Sequence, residues 1–185
     1  RRYHGLLMVS GDRPAVRHLA LAALDPVVRL PGGDCVPLGV HEWSGHAVHP
    51  QGHRLLESFE LVDGLPRWRW RVGAVVLERE VAMVHGQSCV AVVHRLLAAP
   101  GPVELSLDAL ATWRDGHGER SGAGGPLRMT QTDDGVVIED AYRLAGPGWR
   151  PAGHWWLSAY HRQEAARGLP ATEDLWYAGS FVATL

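Results

Sequence analysis

Short apolar segments separated by glycine and proline are the feature that most limits what this chain can fold into. Its 185 residues include 22 Gly and 12 Pro, and these interrupt the apolar segments about every 8–12 residues. Amphipathic helices need longer uninterrupted segments, whereas strands of a few residues end at such turns. The pattern predicts an all-β fold, a large antiparallel β-sandwich of roughly a dozen strands with very little helix.

The clearest alternation of apolar and charged residues lies at positions 67–72. Successive side chains of a strand point to opposite faces, so one face is expected to be buried and the other exposed. The buried face is predicted to carry Trp68 and Trp70. The exposed face is predicted to carry the cations Arg67, Arg69 and Arg71.

Turn signals divide the rest of the chain into further strands. Residues 133–135 (Asp-Asp-Gly) predict a hairpin between strands at 127–132 and 136–140. Apolar segments at 75–84, 89–97 and 103–111 predict one antiparallel meander. Residues 44–53 are predicted to form a loop. Residues 162–168 are predicted to form one or two helical turns, which Gly168 and Pro170 would end.

Charge and composition exclude several classes of function. The formal net charge is −2, so no basic field is expected to hold nucleic acid or an anionic membrane. The apolar segments are too short to span a bilayer, and no charged-then-apolar leader opens the chain, which predicts a cytoplasmic protein. Cys35 and Cys89 form neither a disulfide scaffold nor a CxxC motif. Without a P-loop or a GxGxxG motif, no cofactor is expected.

Two kinds of polar cluster are candidates for chemistry. His41, His46, His49 and His53 have spacings that could bring imidazoles together on a metal, and a polar histidine-rich loop is the favoured alternative. We therefore predict no metal site. Acidic residues occur as pairs at 139–140 and 173–174, and at 115 beside a histidine. A glycosidase needs two carboxylates that converge across a sugar, which sequence spacing does not indicate, so no catalytic residue is predicted.

Tryptophan gives the stronger functional indication, with eight in the chain. Indole rings stack on the apolar faces of sugars, while neighbouring Arg, Asp and His groups bind hydroxyls. Trp113, Arg114, Asp115 and His117 combine these groups in one segment that follows a strand. A core position for Trp113 is the alternative, and the sequence favours neither.

Several segments resemble the N-terminal domain of the bacterial and archaeal type of glycogen debranching enzyme, and they span nearly the whole chain. They are RRYHGLL at 1–7, HPQGH at 49–53 with LESF at 56–59, PRWRW at 66–70, LER at 77–79 with MVHG at 83–86, WRDGH at 113–117, and RGL at 167–169 with EDLW at 173–176. The first segment and the Arg-Asp-x-His element at 114–117 are the more specific ones.

The resemblance implies a function that the residues alone do not. Members of this family are amylo-alpha-1,6-glucosidase-type enzymes, in which a β-sandwich of the supersandwich type precedes an (α/α)6 catalytic barrel, an arrangement similar to that of glucoamylases. Residues 1–185 would then be a single β-sandwich domain, a fragment of a longer enzyme, with the catalytic carboxylates in the barrel. The implied partners are this barrel and an α-glucan such as glycogen or limit dextrin.

We therefore expect a non-catalytic domain that supports the barrel and contacts the α-glucan, with no debranching activity of its own. The alternative is a purely structural interdomain module without sugar contact. Two segments are predicted to lie together on the surface that faces the barrel, with a charge-assisted hydrogen bond between Arg and Asp holding the loop. They contain the site candidates Arg1, Arg2, Tyr3, His4, Trp113, Arg114, Asp115 and His117.

Overall fold

Long antiparallel strands dominate the computed structural model, which describes residues 5–11 and 16–185. The strands are β1 (Leu7–Ser10), β2 (Arg17–Arg29), β3 (Cys35–Pro37), β4 (Val40–Glu42), β5 (Val48–Gln51), β6 (Leu56–Val62), β7 (Leu65–Val72), β8 (Val75–Met83), β9 (Val90–Ala98), β10 (Glu104–Asp115), β11 (Met129–Thr132), β12 (Gly135–Ile138), β13 (Tyr142–Ala145), β14 (Trp149–Tyr160) and β15 (Thr172–Thr184). One helical turn, α1 (Arg162–Ala165), and short 3-10 turns at Gly52–Leu55 and Gly122–Gly124 complete the described elements. The predicted all-β class is confirmed.

A central sheet organises the molecule, with the strand order β1-β2-β10-β15-β14 and β3 paired to β2. The sheets β6-β7-β8-β9 and β11-β12-β13 are separate, and β4 and β5 form a hairpin. All of these pairings are antiparallel. The central sheet therefore joins strands that are far apart in sequence, whereas the smaller sheets are local.

The two smaller sheets pack on one face of the central sheet, which we call the inner face. Val28 and Leu105 of this face pack with Trp70 and Leu77 of the β6–β9 sheet. Elsewhere on the inner face, residues of the central sheet such as Leu21 and Trp176 pack with Ile138 and Tyr142 of the β11–β13 sheet. Such a two-layer arrangement buries the apolar sides of all three sheets.

The opposite, outer face of the central sheet carries a smaller apolar cluster. Leu110, Ala159 and Leu175 are buried there, and half-buried Trp43, Trp156 and Tyr177 pack against them. Trp43 reaches this face because it pairs with Ala159 of β14 and lies in the turn of the β4–β5 hairpin.

The predicted alternation in β7 is confirmed for the buried side and corrected for part of the charged side. Trp70 is buried, with 6% of its surface exposed, and half-buried Trp68 packs on the same cluster. Arg71 is exposed, but Arg67 and Arg69 are half-buried. They lie over Glu80 and Glu78 of β8, at 2.5 Å and 3.1 Å, because cross-strand neighbours of opposite charge attract.

Two further sequence predictions need correction. The predicted meander ends at β9, because residues 104–115 form β10 in the central sheet between β2 and β15. The predicted loop at 44–53 contains β5, which pairs with β4.

The predicted hairpin is confirmed as β11 and β12, with its turn at Asp133 and Asp134. The predicted helix is the single turn α1.

Candidate functional site

The predicted site segment begins at the end of β10, where Asp115 and His117 lie at the surface. Their side chains are 54% and 82% exposed, with 3.7 Å between His117 Nδ1 and Asp115 Oδ1. The backbone N–H of His117 donates to Asp115 Oδ1 at 2.8 Å, and this bond holds the pKa of the Asp115 carboxyl below its usual value. The loop thus presents an ionised carboxylate next to an exposed imidazole.

Trp113 and Arg114 point to opposite sides of β10, as neighbours in a strand do. The Trp113 ring packs on the inner-face core, stacks on His18 with 4.6 Å between ring centroids, and lies 5.9 Å from the Tyr142 ring. The structure therefore supports the core alternative for Trp113.

Arg114 forms a buried ion pair with Glu173 of β15. Its Nε and Nη2 atoms donate to the two carboxylate oxygens at 2.6 Å and 3.0 Å, and the two side chains are only 3% and 4% exposed. His161 adds a contact of 2.9 Å from Nε2 to Glu173 Oε1. Arg114 faces β15 because alternation along β10 turns its side chain that way. The expected hydrogen bond between an Arg and an Asp of the two predicted segments stays a prediction, since Arg1 and Arg2 lie outside the described residues.

Glu173 stays ionised although it is buried. Burial by itself raises the pKa of a carboxyl, but the hydrogen bonds from His161 and Arg114 and the charge of Arg114 outweigh it, so the pKa of Glu173 is lowered. We call these three residues the buried network. It is a fixed, charge-compensated group at one end of the outer face.

The candidates Arg1, Arg2, Tyr3 and His4 lie outside the described residues. Their predicted adjacency to the segment 113–117 stays a prediction. The described chain that follows them runs along β2, where the N–H of Leu6 donates to the carbonyl of Ala22 at 3.2 Å.

A groove of about 260 Å³ opens on the outer face, next to the buried network. Its floor is built from small and apolar residues that include Ala22, Ala23 and Leu175. Its polar lining consists of His41, Glu42, Tyr160, His161 and Glu173. We call this feature the outer-face groove, and it brings together residues from β2, β4, β14 and β15 with His161, which follows β14.

The polar groups of the groove are held by neighbours. His41 Nε2 contacts the Asp25 carboxylate. Arg162 donates to both oxygens of Glu42, at 2.6 Å and 3.0 Å, and these hydrogen bonds lower the pKa of Glu42. Each histidine of the groove thus has one nitrogen on a carboxylate, and both groove carboxylates have an arginine partner.

An aromatic cluster borders the groove at His41. The His41 ring lies 5.7 Å from Trp43 and 6.4 Å from Trp156, and the two indoles are 6.0 Å apart. Trp156 also stacks on Tyr177 at 5.6 Å. Its neighbour Trp155 packs into the inner-face core, so the adjacent tryptophans serve opposite faces of the sheet.

Sequence reasoning missed most residues of this groove. The sequence indicates Glu173 as one of an acid pair with Asp174 and as part of the EDLW segment, but not as a site residue. The Asp174 carboxylate accepts backbone N–H groups of Gly122 and Ser158, each at 2.8 Å. His41 was considered only with the histidine-rich loop. Positions 41, 161 and 173 are too far apart in sequence for spacing to connect them, so only the tertiary structure identifies the groove.

The remaining polar candidates have other contacts. Among residues 5–11 and 16–185, no group of three or more His, Cys, Asp or Glu is arranged to hold a metal ion. Glu139 and Asp140 contact Arg128, through its backbone N–H at 2.8 Å and its Nη1 at 2.9 Å respectively. No helix in the described ranges is long and apolar enough to span a membrane.

Comparison with known proteins agrees with the motifs in the sequence. The family model described as "Glycogen debranching enzyme N terminal" matches residues 1–185. Neither the curated proteins nor the solved structures include a significant match to the chain. Because the family model covers every residue, the chain belongs to the family of glycogen debranching enzyme N-terminal domains.

Proposed function

We propose that this domain is non-catalytic, supports the catalytic barrel of its parent enzyme, and contacts the α-glucan on which that enzyme acts. The parent would be a bacterial, cytoplasmic amylo-alpha-1,6-glucosidase that hydrolyses α-1,6-glucosidic branches. The domain itself would need no cofactor and no metal.

The state of the two groove carboxylates carries the non-catalytic assignment. A glycosidase needs one carboxyl that keeps its proton and donates it to the leaving oxygen, so the pKa of that group must be raised. Glu42 and Glu173 both line the groove, and arginine partners lower the pKa of both. Two ionised carboxylates that are already bound to arginine supply no general acid.

Support of the barrel is favoured by apolar side chains that this domain leaves exposed. Phe59 and Leu61 of β6 are 54% and 68% exposed. They lie next to each other on one face of the strand, where Phe59 also contacts Trp68 at 5.1 Å between ring centroids. Adjacent exposed apolar residues on a folded domain are typical of protein contact surfaces.

The test of the non-catalytic role is an assay of the chain with branched limit dextrin. We expect no glucose release above that of a boiled control, at enzyme concentrations where an intact debranching enzyme would convert the substrate fully. Glucose release by the pure chain would contradict the proposal, and loss of that release in Glu42→Gln or Glu173→Gln would then locate the activity in the groove.

The second candidate is a purely structural interdomain module, and the same exposed residues of β6 favour it, because they need no sugar. Titration of the chain with α-glucan distinguishes the two candidates. Saturable binding supports the glucan-contacting role, whereas its absence leaves the interdomain role alone.

A further inference from the structure

We propose that the outer-face groove binds one or two glucosyl units of an α-glucan chain, with the Trp43–Trp156 cluster as a stacking surface at its border. The inference rests on the proposed glucan contact and assigns it to particular residues. These residues differ from the predicted site segment at 113–117, whose Arg114 contacts the groove residue Glu173.

The size of the groove limits the ligand. Sites for drug-sized ligands have volumes of about 300–1,000 Å³, and the groove has about 260 Å³. A short stretch of sugar would fill it, whereas a long segment of glucan would have to continue across the neighbouring surface. The aromatic cluster that borders the groove at His41 provides such a surface.

The charges of the groove favour a neutral polyol over an ion. Glu42 is paired with Arg162, and Glu173 is paired with Arg114, so each groove carboxylate already has a compensating cation. These two pairs therefore offer no uncompensated charge that would attract a further cation or anion. Hydroxyl groups can donate to the carboxylates and accept from neighbouring N–H groups without changing this balance.

The polar groups are also pre-organised for hydroxyls. His41 and His161 each contact a carboxylate through Nε2, which restrains both rings at the lining of the groove. Tyr160 also lines the groove, and its ring makes an edge contact with His46 at 4.8 Å between centroids. Groups that are held in place before binding lose little conformational entropy on binding.

The aromatic border supplies the apolar part of sugar recognition. The indole N–H of Trp43 donates to the carbonyl of His49 at 2.6 Å, and that of Trp156 donates to His154 Nε2 at 3.2 Å. Because both indole N–H groups already have partners, the proposed contribution of the two rings to sugar binding is stacking of their faces on the C–H side of a pyranose.

Binding of maltotriose by the chain, followed by tryptophan fluorescence and calorimetry, tests the proposal. Ala23→Phe places a large ring on the groove floor, at a strand position that tolerates aromatic residues, and is expected to weaken binding at least tenfold. Thr130→Phe is the matched control, because it adds the same ring at an exposed position of β11, and it should bind as the unmodified chain does. Tyr160→Phe removes one hydroxyl and should weaken binding about two- to tenfold.

Each other outcome is decisive. If maltotriose binds the unmodified chain and Ala23→Phe equally, glucan contact lies elsewhere, so the groove assignment is wrong and the proposed function stands. If Ala23→Phe fails to fold, Tyr160→Phe decides, and unchanged affinity overturns the assignment. Equal binding of cellotriose would overturn the α-glucan class. If no saccharide binds, both the groove assignment and the proposed glucan contact are wrong. The non-catalytic role is then still tested separately by the limit-dextrin assay.

Discussion

Two of the regions of this molecule that hold arginine–glutamate pairs differ in burial. In the buried network, Arg114 and Glu173 are 3% and 4% exposed. On the charged face of the β7–β9 sheet, Glu78 and Glu80 are covered by Arg67, Arg69 and Arg95, whose side chains are 29% to 42% exposed. We call these five residues the charged ladder.

This difference in burial determines how much stability is lost when one partner of a pair is removed. In the ladder, each glutamate has two arginine partners, and water reaches the guanidinium groups. In the buried network, one arginine neutralises one glutamate, and both side chains are almost fully buried. Loss of one partner is therefore tolerable in the ladder and costly in the network.

The largest expected effect tests the buried side of this comparison. Arg114→Ala leaves Glu173 buried without its cation, and we expect the free energy of unfolding to fall by about 3–5 kcal/mol. Urea denaturation of the two proteins measures the difference. A loss below about 1 kcal/mol would mean that His161 and water compensate the charge, and the comparison would fail.

A second large effect concerns the buried side of β7, behind the charged ladder. Trp70→Ala removes a buried indole from the core between the β6–β9 sheet and the central sheet, and we expect the free energy of unfolding to fall by about 3–5 kcal/mol. The same denaturation experiment applies. A small loss would contradict our interpretation that the apolar face of β7, and not the ladder, holds this sheet on the central sheet.

A pH-dependent effect of intermediate size comes from His94 on β9. Burial, together with the charge of Arg79, lowers the pKa of His94 to about 3. At pH values between about 3 and the ordinary histidine pKa near 6.5, His94 binds a proton in the unfolded chain but not in the folded protein. Stability therefore falls as the pH falls, by about 1.4 kcal/mol per unit within this window.

Denaturation at pH 6.0 and pH 5.0 measures the dependence within this window, where the carboxylates with lowered pKa values remain ionised. Comparison with a variant then separates His94 from the other histidines. His94→Phe is expected to abolish most of the difference between the two pH values. An unchanged difference in the variant would assign the dependence to another group.

A smaller effect tests the ladder itself. In Arg69→Ala, Glu78 keeps Arg95 as a partner at 3.3 Å, so we expect a loss of only about 0.5 kcal/mol. High salt should reduce this loss further, because the pair is partly exposed. A loss as large as that of Arg114→Ala would remove the distinction between the two regions.

The smallest effect on stability is expected for Asp115→Ala, because this carboxylate is exposed and, within the described ranges, its contacts are with His117 of its own loop. We expect a nearly unchanged melting temperature of the chain, together with lower debranching activity of the proposed parent enzyme. A marked loss of thermal stability with normal activity would make the loop structural and would remove Asp115 from the site candidates.

The sequence predicted the local features better than the distant pairings. The alternation in β7 indicated that Trp70 is buried, and the Asp-Asp-Gly turn indicated the β11–β12 hairpin, because both signals lie within a few residues. The strand at 104–115 was assigned to the wrong sheet, since an apolar segment shows that it is buried without showing which strands flank it. The site was predicted in part: Arg114, a predicted site residue, is central to the buried network, but its partner Glu173 was not among the predicted site residues.

By itself, the sequence determined the all-β class, the turns that limit the strands, and the family, because these depend on residue order over short distances. Only the tertiary structure decided that β10 lies between β2 and β15, and that His41, His161 and Glu173 line one groove. The physical reason is that alternation specifies the face of a strand to which a side chain points. The partner across that face is set by non-local strand pairing, which brings positions separated by more than a hundred residues into contact.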